Sequence, residues 1–505
     1  MNKHTIDMKA IARSAMEKYG FGFRFPDSVL VEVNTIQGRV FTEGDLDSRD
    51  LRDLLWSSID NWDSMDLDQL EYCEGGPDGE IHVRIAIADV DLYVPKNSQV
   101  DLYGAHNGTS VYTGIEVFPL FPDKLSRGIT SLLPGQDRMA VVIEYSVLRD
   151  GNTRPGDIHR ALVRNKAKLV YEEVGDWFEG VGSVPQEVLD VPGLKEQLLL
   201  QVEVMQRLKK RRIENGALDL DTLEAHAVLE EGSIRDLIVQ KQNMARDLIE
   251  EFMVAANGVM VSFLGNANLP MIQRIVRIPK NWDGIVQVAA LYHDSLPAIP
   301  DSKALSLFLD RRKAADPERF LDLSLAVIKL LGPGEYMTLE PGQPPYGHFA
   351  LAVTDYTHAT APNRRYVDLI NQRLVKSVIN RSGNPYSLEE LVSLSAWLTD
   401  REKASKKVER FMRKAAAAVL LKDRIGESFD GLITGAKDSG TYVRLIAPPA
   451  EGRIVRGERG LFVGQKVSVR LLKTDPYNGF VDFECIGEIK KSQFKFKRLR
   501  TKTMK

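Results

Sequence analysis

The stretch IHVRIAIADVDLYV, which begins at Ile81, admits few folds. Ile81, Val83, Ile85 and Ile87 recur at a period of two, which puts one face of a strand into a core. From about residue 47 such short β-rich runs alternate with turn residues. Ahead of them, DMKAIARSAMEKYG carries apolar residues at helical spacing and a closing glycine, so it predicts one short helix. Across residues 185–424 the pattern becomes helical, in QEVLDVPGLKEQLLLQVEVMQRLKKRRIENG, NMARDLIEEFMVAANGVMVSFLG and LEELVSLSAWLTDREKASKKVERFMRKAAAAVLLKDRIG. After Gly426 the period returns to two. About five short alternating strands with glycines at the turns fit a small OB-type barrel. The expectation is an α+β protein with a short N-terminal segment (1–45), a large mixed sheet-and-helix unit (46–424), an all-β barrel (425–487) and a basic tail (488–505).

Composition narrows the class. A chain of 505 residues that is 43% apolar can bury a large core. MNKHTIDMKAIARSAMEKYGF mixes charged with apolar residues and lacks the apolar core of a signal peptide, and no run of about 20 apolar residues occurs. A cytoplasmic protein without membrane attachment is expected. Cys73 and Cys485 are the only cysteines and lack neighbours at ligand spacing, which argues against a disulfide framework or a zinc site. Any metal must use oxygen ligands.

SIDNWDSMDLDQLEY, residues 58–72, gathers Asp60, Asp63, Asp66 and Asp68 with no lysine or arginine between them. Such crowding is either a solvated acidic loop or a place where a cation is drawn in. A calcium loop is excluded. Counted from Asp60, the third position is Trp62, and the obligatory glycine is Met65. The spacing of Asp60, Asp66 and Asp68 suits a hard divalent ion such as Mg²⁺, which keeps several waters and takes one or two carboxylates plus phosphate oxygens. That chemistry serves phosphodiester hydrolysis.

The net charge of −3 does not announce a nucleic-acid partner, but its distribution does more. The tail KKSQFKFKRLRTKTMK has no acid and interleaves Phe494 and Phe496 with basic residues, a composition that can follow a phosphate backbone and offer stacking faces. A solvated tail would read the same way. In HATAPNRRYVDLINQRL, Pro362 is expected to open a helix, so that backbone N–H groups and Arg364 converge on one anion. A planar guanidinium there suits a phosphate.

SIDNWDSMDLDQ resembles the acidic signature of the ribonuclease II and ribonuclease R family, whose catalytic unit is the RNB domain. VRIAIADVDLYV, KAKLVYEEVGDW, RDLIEEFMVAAN, YGHFALAVTDYTHATAPNRRYVDLINQRLV and KKVERF follow in the family's order, and GLITGAKDSGTYVRL with VGQKVSVRLLKTD resembles its S1-type barrel. The resemblance implies helices around an RNA channel, Mg²⁺ or Mn²⁺ as cofactor, single-stranded RNA as partner of a monomer, and stepwise 3′-to-5′ hydrolysis to nucleoside 5′-monophosphates. It implies that Asp60, Asp66, Asp68 and Arg364 form the catalytic centre, that Tyr112 and Tyr171 stack on the 3′ end, and that Glu250 and Glu409 line the RNA path. One position departs. The family ends its acidic motif with two adjacent aspartates, and here the second is Gln69, whose neutral oxygen can still meet a cation; Asp63 is a candidate to compensate. The family's cold-shock barrels also lack room in the first ~45 residues. These departures keep open a catalytically weak RNA-binding protein, and trimming of short 3′ tails stands beside bulk decay.

Overall fold

The computed structural model describes residues 6–36, 49–220, 225–230, 233–239, 242–277, 279–437 and 440–488. The basic tail lies outside them.

Nine strands build the first half: β1 (Arg49–Asp50), β2 (Ser57–Asp60), β3 (Gln69–Gly75), β4 (Ile81–Ala88), the short pair β5 (Val111–Tyr112) and β6 (Val117–Phe118), then β7 (Asp137–Val147), β8 (Thr153–Arg164) and β9 (Ala167–Val170). Seven of them form one sheet in the order β1-β8-β7-β4-β3-β2-β9. Its interior pairs are antiparallel, while β1 on β8 and β9 on β2 are parallel. Ile81, Val83, Ile85 and Ile87 are all buried as the sequence predicts, and Ala86 and Ala88 on the other face are buried as well.

The helices that shape the site are α1 (Met8–Lys18), α2 (Tyr171–Phe178), α3 (Leu194–Glu214), α4 (Met244–Asn266), α5 (Tyr366–Ile379) and α6 (Leu388–Leu421). The helical stretch expected from residue 186 is broken: Gln186–Leu189 stops short of α3, because Pro192 and Gly193 intervene and Gly193 takes φ +84°, a backbone that favours glycine. Among the described helices α4 alone is long and apolar enough to cross a membrane by length and composition. Here Leu248, Phe252, Ala256 and Met260 bury its apolar side in the main core.

Helix α5 is enclosed along most of its length. Two of its cations are buried in ion pairs: Arg373 with Asp101 at 2.7 Å and Asp91 at 2.9 Å, and Lys376 with Asp89 at 2.7 Å and Asp91 at 2.8 Å. Breaking such a pair leaves an uncompensated buried charge, which costs roughly 3–5 kcal/mol. The aspartates of IADVDLYV therefore lock the end of β4 to the helix that follows Arg364.

Strands at Ser428–Lys437, Gly440–Leu445, Glu451–Arg456, Lys466–Asp475 and Phe480–Glu488 close the expected barrel. At Gly452 a Cβ would lie 2.4 Å from the Phe483 ring, so only glycine lets the two strands approach. The barrel interior, including Phe429, Ile433, Val469 and Phe483, is continuous with Val408, Met412 and Ala416 of α6 and with Ile11 and Met16 of α1. The barrel thus shares a core with α1 and α6.

Candidate active site

Strand β2 ends on Asp60, whose carboxylate accepts the Asn61 N–H at 2.7 Å and the Ser64 hydroxyl at 2.6 Å. The loop beyond it is pinned from two sides. Lys168 donates to the carbonyls of Trp62 (2.9 Å) and Ser64 (2.6 Å), and the Ser131 hydroxyl accepts the Leu67 N–H while donating to the Met65 carbonyl. Leu67 is buried, so Asp66 and Asp68 flank a fixed anchor. Asp63 is exposed at the loop tip beside Trp62.

Asp68 is 2% exposed. Its Oδ1 accepts the Asn363 N–H at 2.9 Å, while Oδ2 makes no hydrogen bond and faces Arg364 Nε at 3.5 Å. Burial pushes its carboxyl up to about 8, against the pull of Arg364 and the Asn363 N–H. Burial and then the Asp60 charge also raise Asp66, which accepts the Tyr112 phenol at 3.3 Å. Tyr112 and Arg364 ride on one backbone frame, because Ser110 N–H donates to the Arg364 carbonyl at 2.9 Å and Thr109 bridges Arg365. Tyr112 is 41% exposed and the Arg364 side chain 43%, yet burial leads the influences on both ionisations.

Pro362 does not open a helix. It sits in a turn, and α5 starts at Tyr366 with Arg365 as its N-cap. The Asp368 carboxylate competes for that turn, accepting the Ala361 N–H and the Arg365 guanidinium. The expected outward-directed backbone donor exists all the same, but it is Asn363, and its acceptor is the Asp68 carboxyl.

Tyr171 opens α2 directly after the β9 residue paired with Asp60. Burial, then the charges of Asp60 and Glu71, raise its phenol. Asp60, Asp66, Asp68, Tyr112, Tyr171 and Arg364 thus belong to one neighbourhood. Gln69 pairs with Ile87 and shares a sheet face with Glu71 and Cys73, and its amide makes no hydrogen bond among the described residues. Glu250 pairs with Arg212 at 2.8 Å, and Glu409 accepts the Ser405 hydroxyl one turn away on α6. Sequence reading missed Glu71, fully buried with both carboxyl oxygens unpartnered and its pKa driven well up by burial and Asp60. It also missed Asn363 and Arg246. The guanidinium of Arg246 lies 4.2 Å over the Tyr171 ring.

A hard divalent ion fits this chemistry. Asp68 Oδ2 is buried with a spare lone pair, and crowding with burial leaves Asp66 and Asp68 short of positive charge. Among the described residues no three carboxylate, imidazole or thiol groups already stand as a metal cage. An ion here would rely on one or two carboxylates with water and substrate oxygens, the habit of Mg²⁺.

Comparison with known proteins gives the frame. The RNB domain model matches residues 48–381, and the model of the RNase II-type exonuclease C-terminal S1 domain matches residues 427–485. The chain belongs to the ribonuclease II and ribonuclease R family. Ribonuclease R of Thermotoga maritima is 27% identical over 500 residues, 92% of this chain and 68% of that protein. Apo RNase R of Mycoplasma genitalium superposes with a TM-score of 0.84 at 23% identity, over 95% of this chain and 78% of that one. Yeast Ssd1, described as a pseudonuclease, shares the fold with a TM-score of 0.69 at 15% identity, over 92% of this chain and 58% of its own. The RNB fold alone therefore does not decide activity; the site residues must.

Proposed function

We propose that this family member is an exoribonuclease that degrades single-stranded RNA from its 3′ end by hydrolysis, releasing nucleoside 5′-monophosphates with Mg²⁺ or Mn²⁺ as cofactor. The observation that carries the reading is the buried Asp68, held through one oxygen by Asn363, with its other oxygen unpaired beneath Arg364. Relatives named Ribonuclease R and the M. genitalium RNase R complexes with single- and double-stranded RNA support RNA as substrate.

Each side chain has a task. Arg364 carries a fixed cation to the channel wall, where it can leave Asp68 for a phosphate oxygen of the RNA. Tyr112 and Tyr171 offer π-faces to terminal bases, which grips RNA without reading base edges. The Asn363 N–H keeps Asp68 turned so that Oδ2 points at the reacting phosphate. A divalent ion held by Asp60, Asp66 and Asp68 would supply Lewis acidity to that phosphate.

A second reading, an RNB protein that binds RNA but cuts it poorly, is favoured by Gln69, which puts a neutral amide where the family motif has a second aspartate. Incubating a 5′-labelled oligoribonucleotide with Mg²⁺, Mn²⁺ or EDTA separates the two. A metal-dependent ladder shortening from the 3′ end is expected; RNA that is bound but intact under every condition selects the second reading.

A further inference from the structure

Arg246, near the N-terminus of α4, has no role in the account so far, yet it touches both halves of the site. Its guanidinium lies over one face of the Tyr171 ring, 4.2 Å from the centroid, well inside cation–π range. Its Nη2 donates to Glu172 at 2.7 Å and to the side-chain Oδ1 of Asn61 at 3.3 Å, and the Asn61 backbone N–H in turn donates to Asp60 Oδ1 at 2.7 Å. The neighbouring Asn243 caps α4 through the Arg246 N–H, while its amide donates to the Tyr171 carbonyl at 2.8 Å. The start of α4, the Tyr171 ring and the Asp60 strand end are therefore joined in one polar chain. The Arg246 side chain is 15% exposed, so this geometry is not a wandering surface contact.

We propose that Arg246 is a positioning residue that fixes Tyr171 as a one-sided stacking platform for the 3′-terminal nucleotide of the RNA and holds that platform in register with Asp60. With one ring face taken by the guanidinium, a base or ribose is offered only the other. A ring free to turn would let the terminal nucleotide, and with it the scissile phosphate, sit at several depths. Misplacement by about 1 Å can cost as much as a hundredfold in rate. The inference rests on the exoribonuclease reading and adds to it what sets the depth of the terminal nucleotide.

The test uses the full chain and two RNAs carrying 2-aminopurine, one at the 3′-terminal position and one several nucleotides inward. Both are bound in EDTA so that nothing is cut, and kcat and KM are then measured with Mg²⁺. Arg246→Met keeps the bulk but removes the cation and its fork; Arg246→Lys restores a cation without the fork. The wild type should quench the terminal probe. Arg246→Met should lose that quenching and roughly tenfold or more in kcat, with KM for long RNA within about twofold and the inner probe unchanged. Arg246→Lys should recover part of both. Terminal quenching and kcat at wild-type level in Arg246→Met overturn the inference and leave the enzyme assignment standing, as does equal loss at both probes, which marks a merely structural role. A wild type that neither quenches the terminal probe nor shortens the RNA overturns the exoribonuclease reading and this inference together.

Discussion

Replacing Asp68 by asparagine should make the metal-free protein more stable while abolishing hydrolysis. Burial holds the Asp68 carboxyl near 8, some four pH units above an ordinary aspartate. At about 1.4 kcal/mol per unit, ionising it in the folded protein costs on the order of 5 kcal/mol. The sign follows from proton counting. Between about pH 4 and 8 the unfolded chain gives up this proton while the folded protein keeps it, so the contribution to stability is full below pH 4 and is lost as pH rises to 8. Asparagine never ionises. It keeps an oxygen for the Asn363 N–H but sets an amide NH2 beside the Arg364 cation, which trims the gain. The variant should match the wild type near pH 4 and exceed it at pH 8 by about 2–5 kcal/mol in EDTA, several degrees in melting temperature. Thermal melts of both proteins at matched pH isolate residue 68 with its coupling to Asp66, because titrations remote from it cancel in the difference. Added Mg²⁺ should stabilise the wild type and not the variant. A pH-independent difference, or a variant less stable at pH 8, would refute the reasoning that Asp68 is a buried carboxyl waiting for a cation.

Arg364→Lys should lower kcat by roughly a hundredfold or more with RNA affinity little changed, because an ammonium cannot present the planar fork; near-normal kcat would make the arginine ornamental. Gln69→Asp should lower the Mg²⁺ concentration for half-maximal activity if residue 69 faces the ion, and an unchanged requirement means that it does not. On the barrel, Phe462, Tyr477 and Phe480 are 60%, 65% and 60% exposed. Replacing all three by alanine should weaken binding of long RNA and spare cleavage of saturating short oligomers, whereas unchanged long-RNA affinity would show that these exposed rings bind no substrate. Surface substitution is the sound perturbation there, since deleting the barrel would strip the core it shares with α1 and α6.

Much of the fold was legible because apolar residues recur at the period of the element that carries them. The alternation in β4 and the apolar spacing of α1 and α4 announce themselves, and Ser387 with Glu390 forms the capping box that starts α6. Strand order was not legible. The parallel edge pairs join segments about 110 residues apart, and nothing local in a two-residue β1 or a four-residue β2 states its partner. In the site, the acids stood out through crowding, and Arg364 through resemblance to the family. The start of α5 was misread because Pro362 is a good first helical residue only if nothing else claims the turn, and Asp368 does. Arg246 and Glu71 carried no signal. One is an arginine among charged neighbours on an amphipathic helix, 75 residues from the ring it covers, and the other looks like the outward residue of a strand until α3 packs on that face.

The most direct test of the central claim is the identity of the first product released from RNA labelled on its 3′-terminal nucleotide, with Mg²⁺ present. The label is expected to leave in the first turnover as a nucleoside 5′-monophosphate, and Asp68→Asn to release none while still binding the RNA. Label released as an oligonucleotide or as a 3′-phosphate, or release undiminished in the Asp68 variant, would contradict it.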